Sequence, residues 1–291
     1  MPELPEVETI VSGLKKRILN RRITDVWTDF AKIVKKPGFQ RFKKEIIGKK
    51  ILDVKRRGKN ILIYLSQEKI LLVHQKMTGH FLVGKWKKAG EKWKAVTKGP
   101  LSDDSANQFL HLVFRLNDGK QLALSDMRKF AKVELWNEKN MKDNESIRNL
   151  GPEPLEKNFS FAKFLKLFSE RKGKIKQVLM DQTVVAGIGN IYSDEILWAA
   201  KINPLKDVSS LKKDEFRKIY LFMKEILKKA IKEGGESISD FRNIEGNKGA
   251  FDRYRMVYRR ENEKCSRCGV LIKRIKLGGR SAHFCPKCQP I

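Results

Sequence analysis

All four cysteines of this chain fall in its last 27 residues, as Cys265-x2-Cys268, sixteen intervening residues, and Cys285-x2-Cys288. That spacing matches a tetrahedral four-thiolate zinc site in a reducing, cytoplasmic compartment rather than a disulfide framework. Four thiolates complete the coordination of one Zn2+, so the ion is structural and staples a β-ribbon too small to fold alone. His283 lies nearby, but with four thiolates available it belongs to the core or the surface. The ribbon would present Lys276-Leu277-Gly278-Gly279-Arg280-Ser281, a glycine turn with one projecting arginine, and a solvated turn is the plainer reading of those residues alone.

The 291 residues allow about two domains of roughly 150 residues each. They carry 63 lysines and arginines against 34 acids, a formal charge of +29. Such self-repulsion is useful to a protein with a polyanionic partner, and nucleic acid is the first candidate. The excess sits at the two ends, with +16 in residues 1–136, +4 in 137–240 and +9 in 241–291. No window approaches the roughly 18 apolar residues of a membrane span, and the opening MPELPEVETI is acidic where a signal peptide is basic.

Apolar periodicity divides the chain in the same places. Val7, Ile10, Val11, Leu14 and Ile18 form one helical stripe, followed by short strand-like runs that include 51–54, 61–65, 70–74 and 112–116. Asn117-Asp118-Gly119 supplies the positive-φ residues of a tight hairpin, making the flanking runs neighbours. Residues 85–108 read as a long mobile loop. Gly151-Pro152-Glu153-Pro154 marks a linker, after which the period becomes helical: Phe161, Phe164, Leu165 and Phe168, then Leu211, Phe216, Ile219, Tyr220, Met223, Ile226, Leu227 and Ile231. Ser209 or Ser210 can cap the long helix, Asp214 and Glu215 suit its first turns, and Gly234-Gly235 ends it. The chain is therefore α+β, with domains over 1–136, 137–240 and 241–291.

The amino terminus carries its own chemistry. Pro5, Glu6 and Glu8 are explained by a helix start, since proline fits the first turn and acids complement the dipole. Pro2 is not. If Met1 is removed, the chain begins with a secondary amine whose reference pKa is about 8 rather than the roughly 10.4 of lysine. The helix N-terminus disfavours added positive charge, which leaves Pro2 a nucleophile able to form an iminium at a sugar C1′, with Glu3 beside it to move protons.

Taken with Gly58-Lys59, Lys76-Met77-Thr78-Gly79, Gly189-Asn190-Ile191-Tyr192 and the cysteine module, that opening resembles the bacterial formamidopyrimidine-DNA glycosylases, motif by motif over almost the whole chain. The resemblance implies a β-sandwich with a leading helix, a helix-two-turn-helix domain and a zinc β-ribbon. It also implies a monomer that acts on damaged double-stranded DNA, excises oxidised purines and cleaves the strand by β,δ-elimination. By the same resemblance Pro2 is the Schiff-base nucleophile, Glu3 the general acid/base, Lys59 the lysine of the β-elimination step, and Arg280 the phosphate-gripping arginine of δ-elimination. Glu6 has at most a supporting role.

An enzyme that reaches C1′ in a duplex must extrude the nucleotide and fill the gap. Met77, Arg128 and Phe130 match the family's intercalating trio, although read alone Met77 and Phe130 are better core residues. Residues 181–190 resemble the family's helix-two-turn-helix turn, whose glycines let backbone approach phosphate and whose following helix points N–H groups at it. Asn190 matches the phosphate ligand there, Lys176 and Tyr258 match further contacts to phosphate or the flipped nucleotide, and Arg171 or Lys172 adds another. Three departures stand out: Phe109 occupies the place of a DNA-contacting histidine, with only His111 kept; Asp126-Met127-Arg128-Lys129-Phe130-Ala131 alters a turn; and residues 234–255 align with the family's base-capping loop, a match that Glu236, Ser237 and Ala250 make only partial. Two other readings stay open on sequence, an oxidised-pyrimidine substrate and a zinc-containing DNA-binding protein without catalysis.

Overall fold

The first apolar stripe becomes helix α1 (Leu4–Ile18), which buries Val7, Ile10, Val11, Leu14 and Ile18 along one side. In the computed structural model, which describes residues 1–90, 92–237 and 240–291, α1 belongs to one of two compact units. This unit comprises Met1–Arg148 and Glu233–Asp252, and the other comprises Asn149–Lys232 and Arg253–Ile291.

After α1 the first unit runs β1 (Ile23–Thr28), β2 (Val34–Lys36), α2 (Phe39–Ile46), β3 (Ile51–Arg57), β4 (Asn60–Leu65), β5 (Lys69–His74), β6 (His80–Gly84), β7 (Trp86–Ala89), β8 (Lys92–Ala95), the single turn α3 (Pro100–Asp103), β9 (Leu110–Leu116), β10 (Gln121–Ser125), β11 (Lys132–Asn137) and the short α4 (Glu145–Arg148). The strands form a four-stranded sheet ordered β1-β9-β10-β6 and a five-stranded sheet ordered β2-β11-β5-β4-β3. Alternation explains how they pack. Leu112, Phe114 and Leu116 of β9 and Ile61, Ile63 and Leu65 of β4 point into one core shared with α1. The intervening side chains point outward into satellite clusters, Leu110, Val113 and Ala123 on one sheet and Leu62 and Leu72 on the other. The Asn117 turn joins β9 to β10 as an antiparallel pair, as its glycine foretells.

Residues 85–108 are not the long loop that their lysines imply. They hold the β7–β8 hairpin, α3 and a 3-10 turn, and Trp86 and Trp93 pin the hairpin to the outer face of the four-stranded sheet. Alternate lysines hid a strand pattern whose buried members, among the described residues, are those two tryptophans.

The second unit runs α5 (Phe161–Ser169), α6 (Ile175–Met180), α7 (Asn190–Ala200), α8 (Lys213–Lys232), β12 (Lys273–Leu277) and β13 (Arg280–Phe284). Phe159, Phe164, Phe168, Phe216 and Tyr220 make an aromatic core between α5 and α8, with the Phe164 and Phe168 rings 4.1 Å apart. Neither Ser209 nor Ser210 caps α8. A 3-10 turn spans them, and the helix opens where the Lys212 N–H donates to Glu215 Oε2 at 2.9 Å. The Gly151-Pro152 stretch is a fixed strut rather than a free linker, because the Gly151 N–H donates to Gln182 O and Pro152 O accepts from the Ala186 N–H.

Candidate active site and nucleic-acid interface

The first turn of α1 is organised by a buried carboxylate. Glu6 Oε2 accepts from the Glu3 N–H at 2.7 Å, and Glu6 Oε1 accepts from the Glu236 N–H at 2.8 Å. One side chain thus joins the chain's start to the segment that follows α8. Gly235 makes the approach possible: its φ is +82°, and a Cβ there would lie 2.9 Å from Glu6 Oε1. Of residues 234–255, Ile238 and Ser239 lie outside the described residues. In the remainder, the Ser237 hydroxyl donates to Phe241 O and accepts from the Gly249 N–H, and the Ala250 N–H donates to Glu233 O.

Pro2, Glu3, Glu6 and Lys59 are all buried. Lys59 follows Gly58 in the β3–β4 turn, where φ is +55°. These groups converge on the chain's α-amine, here that of Met1. Burial pushes its pKa below the ordinary value, Glu3 and Glu6 oppose that fall, and Lys59 adds to it. The arrangement is an amine whose burial favours its unprotonated form, with two carboxylates and one ammonium within electrostatic reach.

Met77, Arg128 and Phe130 are brought together. The Thr78 hydroxyl donates to Asp126 Oδ1, the Arg128 N–H donates to Thr78 Oγ1 at 3.1 Å, and Asp126 Oδ2 accepts from the Ala131 N–H at 2.7 Å. Asp126 therefore rebuilds the altered turn and ties it to the loop carrying Met77. The Arg128 guanidinium lies 4.5 Å from the Phe130 ring centroid, while Met77 and Phe130 stay 37% and 49% exposed. These two apolar side chains are held out to water on a basic surface and are not core residues.

Sequence reasoning passed over His74 at the end of β5. Its Nδ1 accepts from the Lys76 N–H at 3.0 Å, and burial with Lys76, Lys59 and Lys132 pushes its pKa down to about 3. It is a neutral imidazole among three ammoniums. The only signal was its position three residues before Met77. Gln75 was also missed: its side-chain amide is buried without a partner among the described residues.

In the second unit, α6 and α7 flank the glycine turn. Gln182 shapes that turn, its Nε2 donating to Ile188 O at 2.7 Å and its Oε1 accepting from the Gly187 N–H at 2.9 Å. Gly189 then precedes α7, placing Asn190 and the positive end of the helix dipole at the turn's mouth. Arg171 is exposed after α5. Tyr258 is fixed through its backbone, because the Glu195 carboxylate accepts from the N–H groups of Met256, Val257 and Tyr258 at 2.8, 3.0 and 2.8 Å. Burial still raises the Glu195 pKa against those three bonds. The Tyr258 ring meets His283 edge-on at 5.2 Å.

Lys176 departs from its expected place on phosphate. It is 1% exposed, and its ammonium donates to Asp194 Oδ1 and to Ser281 O, the latter at 2.6 Å. Asp194 Oδ2 accepts from the His283 N–H and ring Nδ1, both at 3.0 Å. The lysine braces the β12–β13 hairpin through the residue next to Arg280, a load-carrying duty that an exposed phosphate contact would not have. Two adjacent acids, Asp194 and Glu195, in the otherwise apolar run of α7 were the signal for this buried network. Asp194→Ala should lower stability by about 3–5 kcal/mol, since it strands a buried ammonium. Denaturant unfolding checks this, and a loss below about 1 kcal/mol would assign the network no structural weight.

Arg280 opens β13 directly after Gly278 and Gly279, whose φ values of +53° and +73° give the two-residue turn its shape. Below it, the Sγ atoms of Cys265, Cys268, Cys285 and Cys288 lie within 4.8 Å of one another, and those of Cys268 and Cys285 are 3.4 Å apart. A tetrahedral zinc with bonds near 2.3 Å sets its sulfurs about 3.8 Å apart, so these four fit the ion. Burial raises the Cys265 thiol, but the Arg267 N–H and the Trp198 indole bring it down to about 6, while burial and neighbouring thiols push Cys288 up to about 12.

A basic protein with a buried N-terminal amine, an exposed pair of apolar side chains, a glycine-bounded helix pair and a four-cysteine ribbon has the parts of a DNA-repair glycosylase. Family models describe the same parts in the same order: the formamidopyrimidine-DNA glycosylase N-terminal domain over residues 1–133, its H2TH domain over 150–242, and the zinc finger found in FPG and IleRS over 262–291. The chain belongs to the formamidopyrimidine-DNA glycosylase family. It is 37% identical over 291 residues to the formamidopyrimidine-DNA glycosylase of Pelotomaculum thermopropionicum, covering 100% of both chains. A variant of Lactococcus lactis FPG in complex with Fapy-dG-containing DNA is similar in structure, with a TM-score of 0.88, 36% identity and 100% coverage of each chain. MutM in complex with DNA containing carbocyclic 8-oxo-G aligns with a TM-score of 0.87 at the same identity and coverage.

Proposed function

We propose that this chain is a bifunctional glycosylase and abasic-site lyase of base excision repair, removing 8-oxoguanine and formamidopyrimidines from duplex DNA. Once Met1 is gone, the Pro2 nitrogen attacks C1′ of the extruded nucleotide, the bond to the base breaks, and the base leaves with a proton. Glu3 moves protons at that centre. The resulting iminium acidifies C2′; the Glu3 carboxylate takes the proton there, the C3′–O bond breaks and the 3′ phosphate leaves, with the Lys59 ammonium available to meet its charge. Arg280, Asn190, Arg171 and Tyr258 hold the strand's phosphates, and Met77, Arg128 and Phe130 fill the vacated stack. In this reading residues 1–136 carry the chemistry, 137–240 grip the backbone, and 241–291 supply the capping segment and zinc ribbon. Its substrate puts the protein in the cytoplasm, on the nucleoid.

The observation that carries this reading is the buried amine site, where Glu3, Glu6 and Lys59 all act on one nitrogen and burial lowers its pKa. A binder of duplexes needs no such site. A panel of lesion duplexes tests the substrate: 8-oxoguanine and formamidopyrimidine strands should be cut faster than thymine glycol by at least about ten-fold, a difference of about 1.4 kcal/mol in transition-state stabilisation. The reverse order would move the chain to oxidised pyrimidines.

A further inference from the structure

We propose that the first unit carries a second, nucleotide-binding pocket on the outer face of the four-stranded sheet, where an unstacked nucleobase lies against Trp27 and its phosphate meets Lys88 and Lys94. A cavity of about 1040 Å³ opens there between the β7–β8 hairpin and strands β1 and β9. None of Pro2, Glu3, Lys59, Met77, Arg128 or Phe130 lines it.

Three properties of the lining select the ligand. The first is aromatic surface: Trp27 and Trp93 meet edge-on with centroids 5.3 Å apart, and Phe109, in the place where the family resemblance led us to expect histidine, is 37% exposed at the rim. Such faces take a planar ring. The second is a pair of unmet polar atoms. Trp93 Nε1, a donor, and His111 Nε2 are both buried without a partner among the described residues, on side chains that are themselves 9% and 8% exposed. His111 Nδ1 lies 2.9 and 3.0 Å from the two Asp29 oxygens, which fixes the ring's orientation in the wall. The third is charge, since Lys88 and Lys94 are exposed on the hairpin and the Lys88 ammonium already sits 5.5 Å from the Trp27 ring centroid.

An apolar ligand would leave the two lysines unmet, and a bare anion would leave the rings uncovered. A nucleotide meets both, with a stacking face and a phosphate. The back wall is built in advance. Asn107 Nδ2 donates to Pro100 O at 2.8 Å and to Gly246 O at 3.1 Å, and its Oδ1 pairs with His80 Nε2 at 2.9 Å.

The test is calorimetric titration of the full-length, zinc-loaded protein with dAMP, with a short single-stranded oligodeoxynucleotide and with inorganic phosphate, repeated on Trp27→Leu and on the exposed-site variant Lys88→Gln. Binding of a nucleotide probe but not of phosphate, weakened about ten-fold by Trp27→Leu and measurably by Lys88→Gln, is the expected result. Binding of the oligonucleotide alone identifies an unpaired nucleotide of a DNA strand as the occupant, and equal binding of dAMP identifies a free nucleotide. No binding of either nucleotide at millimolar concentration, equal binding of phosphate, or affinity unchanged in both variants overturns the proposal. Pro2→Gly protein should bind dAMP as well as wild type, so failure of the pocket and failure of the excision chemistry are read separately.

Discussion

Borohydride reduction of the protein on an 8-oxoguanine duplex should leave a covalent adduct that maps to Pro2, and Pro2→Gly should lower its yield and the lyase rate by roughly three orders of magnitude, the scale of losing an activated nucleophile. Glycine would still end the chain in an amine, but a primary one with no ring to fix its lone pair. The buried site is unchanged by that substitution, because Glu6 is held by backbone N–H groups of Glu3 and Glu236 and not by Pro2. Duplex affinity should accordingly fall little. The pH dependence has a definite sign. An amine whose pKa is pushed below about 8 loses its proton at a lower pH than a free one, so the rate should rise with pH and level off below that value. Protein that retains Met1 presents an amide nitrogen at Pro2 and should not trap; intact mass before the assay separates the two forms. An adduct of full yield in Pro2→Gly, mapped to Lys59 or another lysine, would sink the assignment.

How much of this was legible in the sequence follows from how local each signal is. The α1 stripe, the Asn117 hairpin and the cysteine spacing each depend on residues close in sequence, and each reappears where the pattern put it. The tie between Glu6 and Glu236 spans 230 residues and leaves no periodic trace. The β7–β8 hairpin was hidden for another reason: its strands are held by two tryptophans packed on a distant sheet face, while the lysines between them read as solvated loop. Lys176 looked like one more basic contact in a basic protein, because charge alone cannot distinguish an ammonium facing phosphate from one facing Asp194. Where the family resemblance supplied residue identities, it singled out Met77 and Phe130, exposed side chains that composition would have placed in the core. It could not find the cavity beside Phe109, whose lining is gathered from β1, β9 and the β7–β8 hairpin, segments far apart in sequence.

Removing zinc should have the largest effect on stability of any single perturbation. Between Cys265 and Cys288 the ribbon has a two-stranded sheet, and its apolar cluster amounts to Val257, Ile272 and Trp198 with the cysteines themselves. Burial on that scale does not offset the ordering of some 24 residues at roughly 1–2 kcal/mol of backbone entropy each. Four sulfurs within 4.8 Å cannot all ionise without a cation among them, whereas zinc binding by such a set contributes about 10–16 kcal/mol in isolated fingers. Chelation, or Cys288→Ser, should therefore release the amides of Lys273–Leu277 and Arg280–Phe284 to rapid hydrogen exchange while strands β3 to β5 in the first unit stay protected. Arg280 would lose its rigid turn, so affinity for the duplex should fall and the slope of log affinity against log salt should shrink by about one, the share of one phosphate contact. The lysine brace predicts an asymmetry: the Asp194, Lys176 and His283 network is seated on α6 and α7, so Asp194 should keep α7 folded after the metal leaves only if His283 remains docked on it. Metal-free protein that keeps both the exchange protection of β12 and β13 and the full salt slope would show that the ribbon stands on side-chain packing, and that its cysteines are dispensable to the grip on DNA.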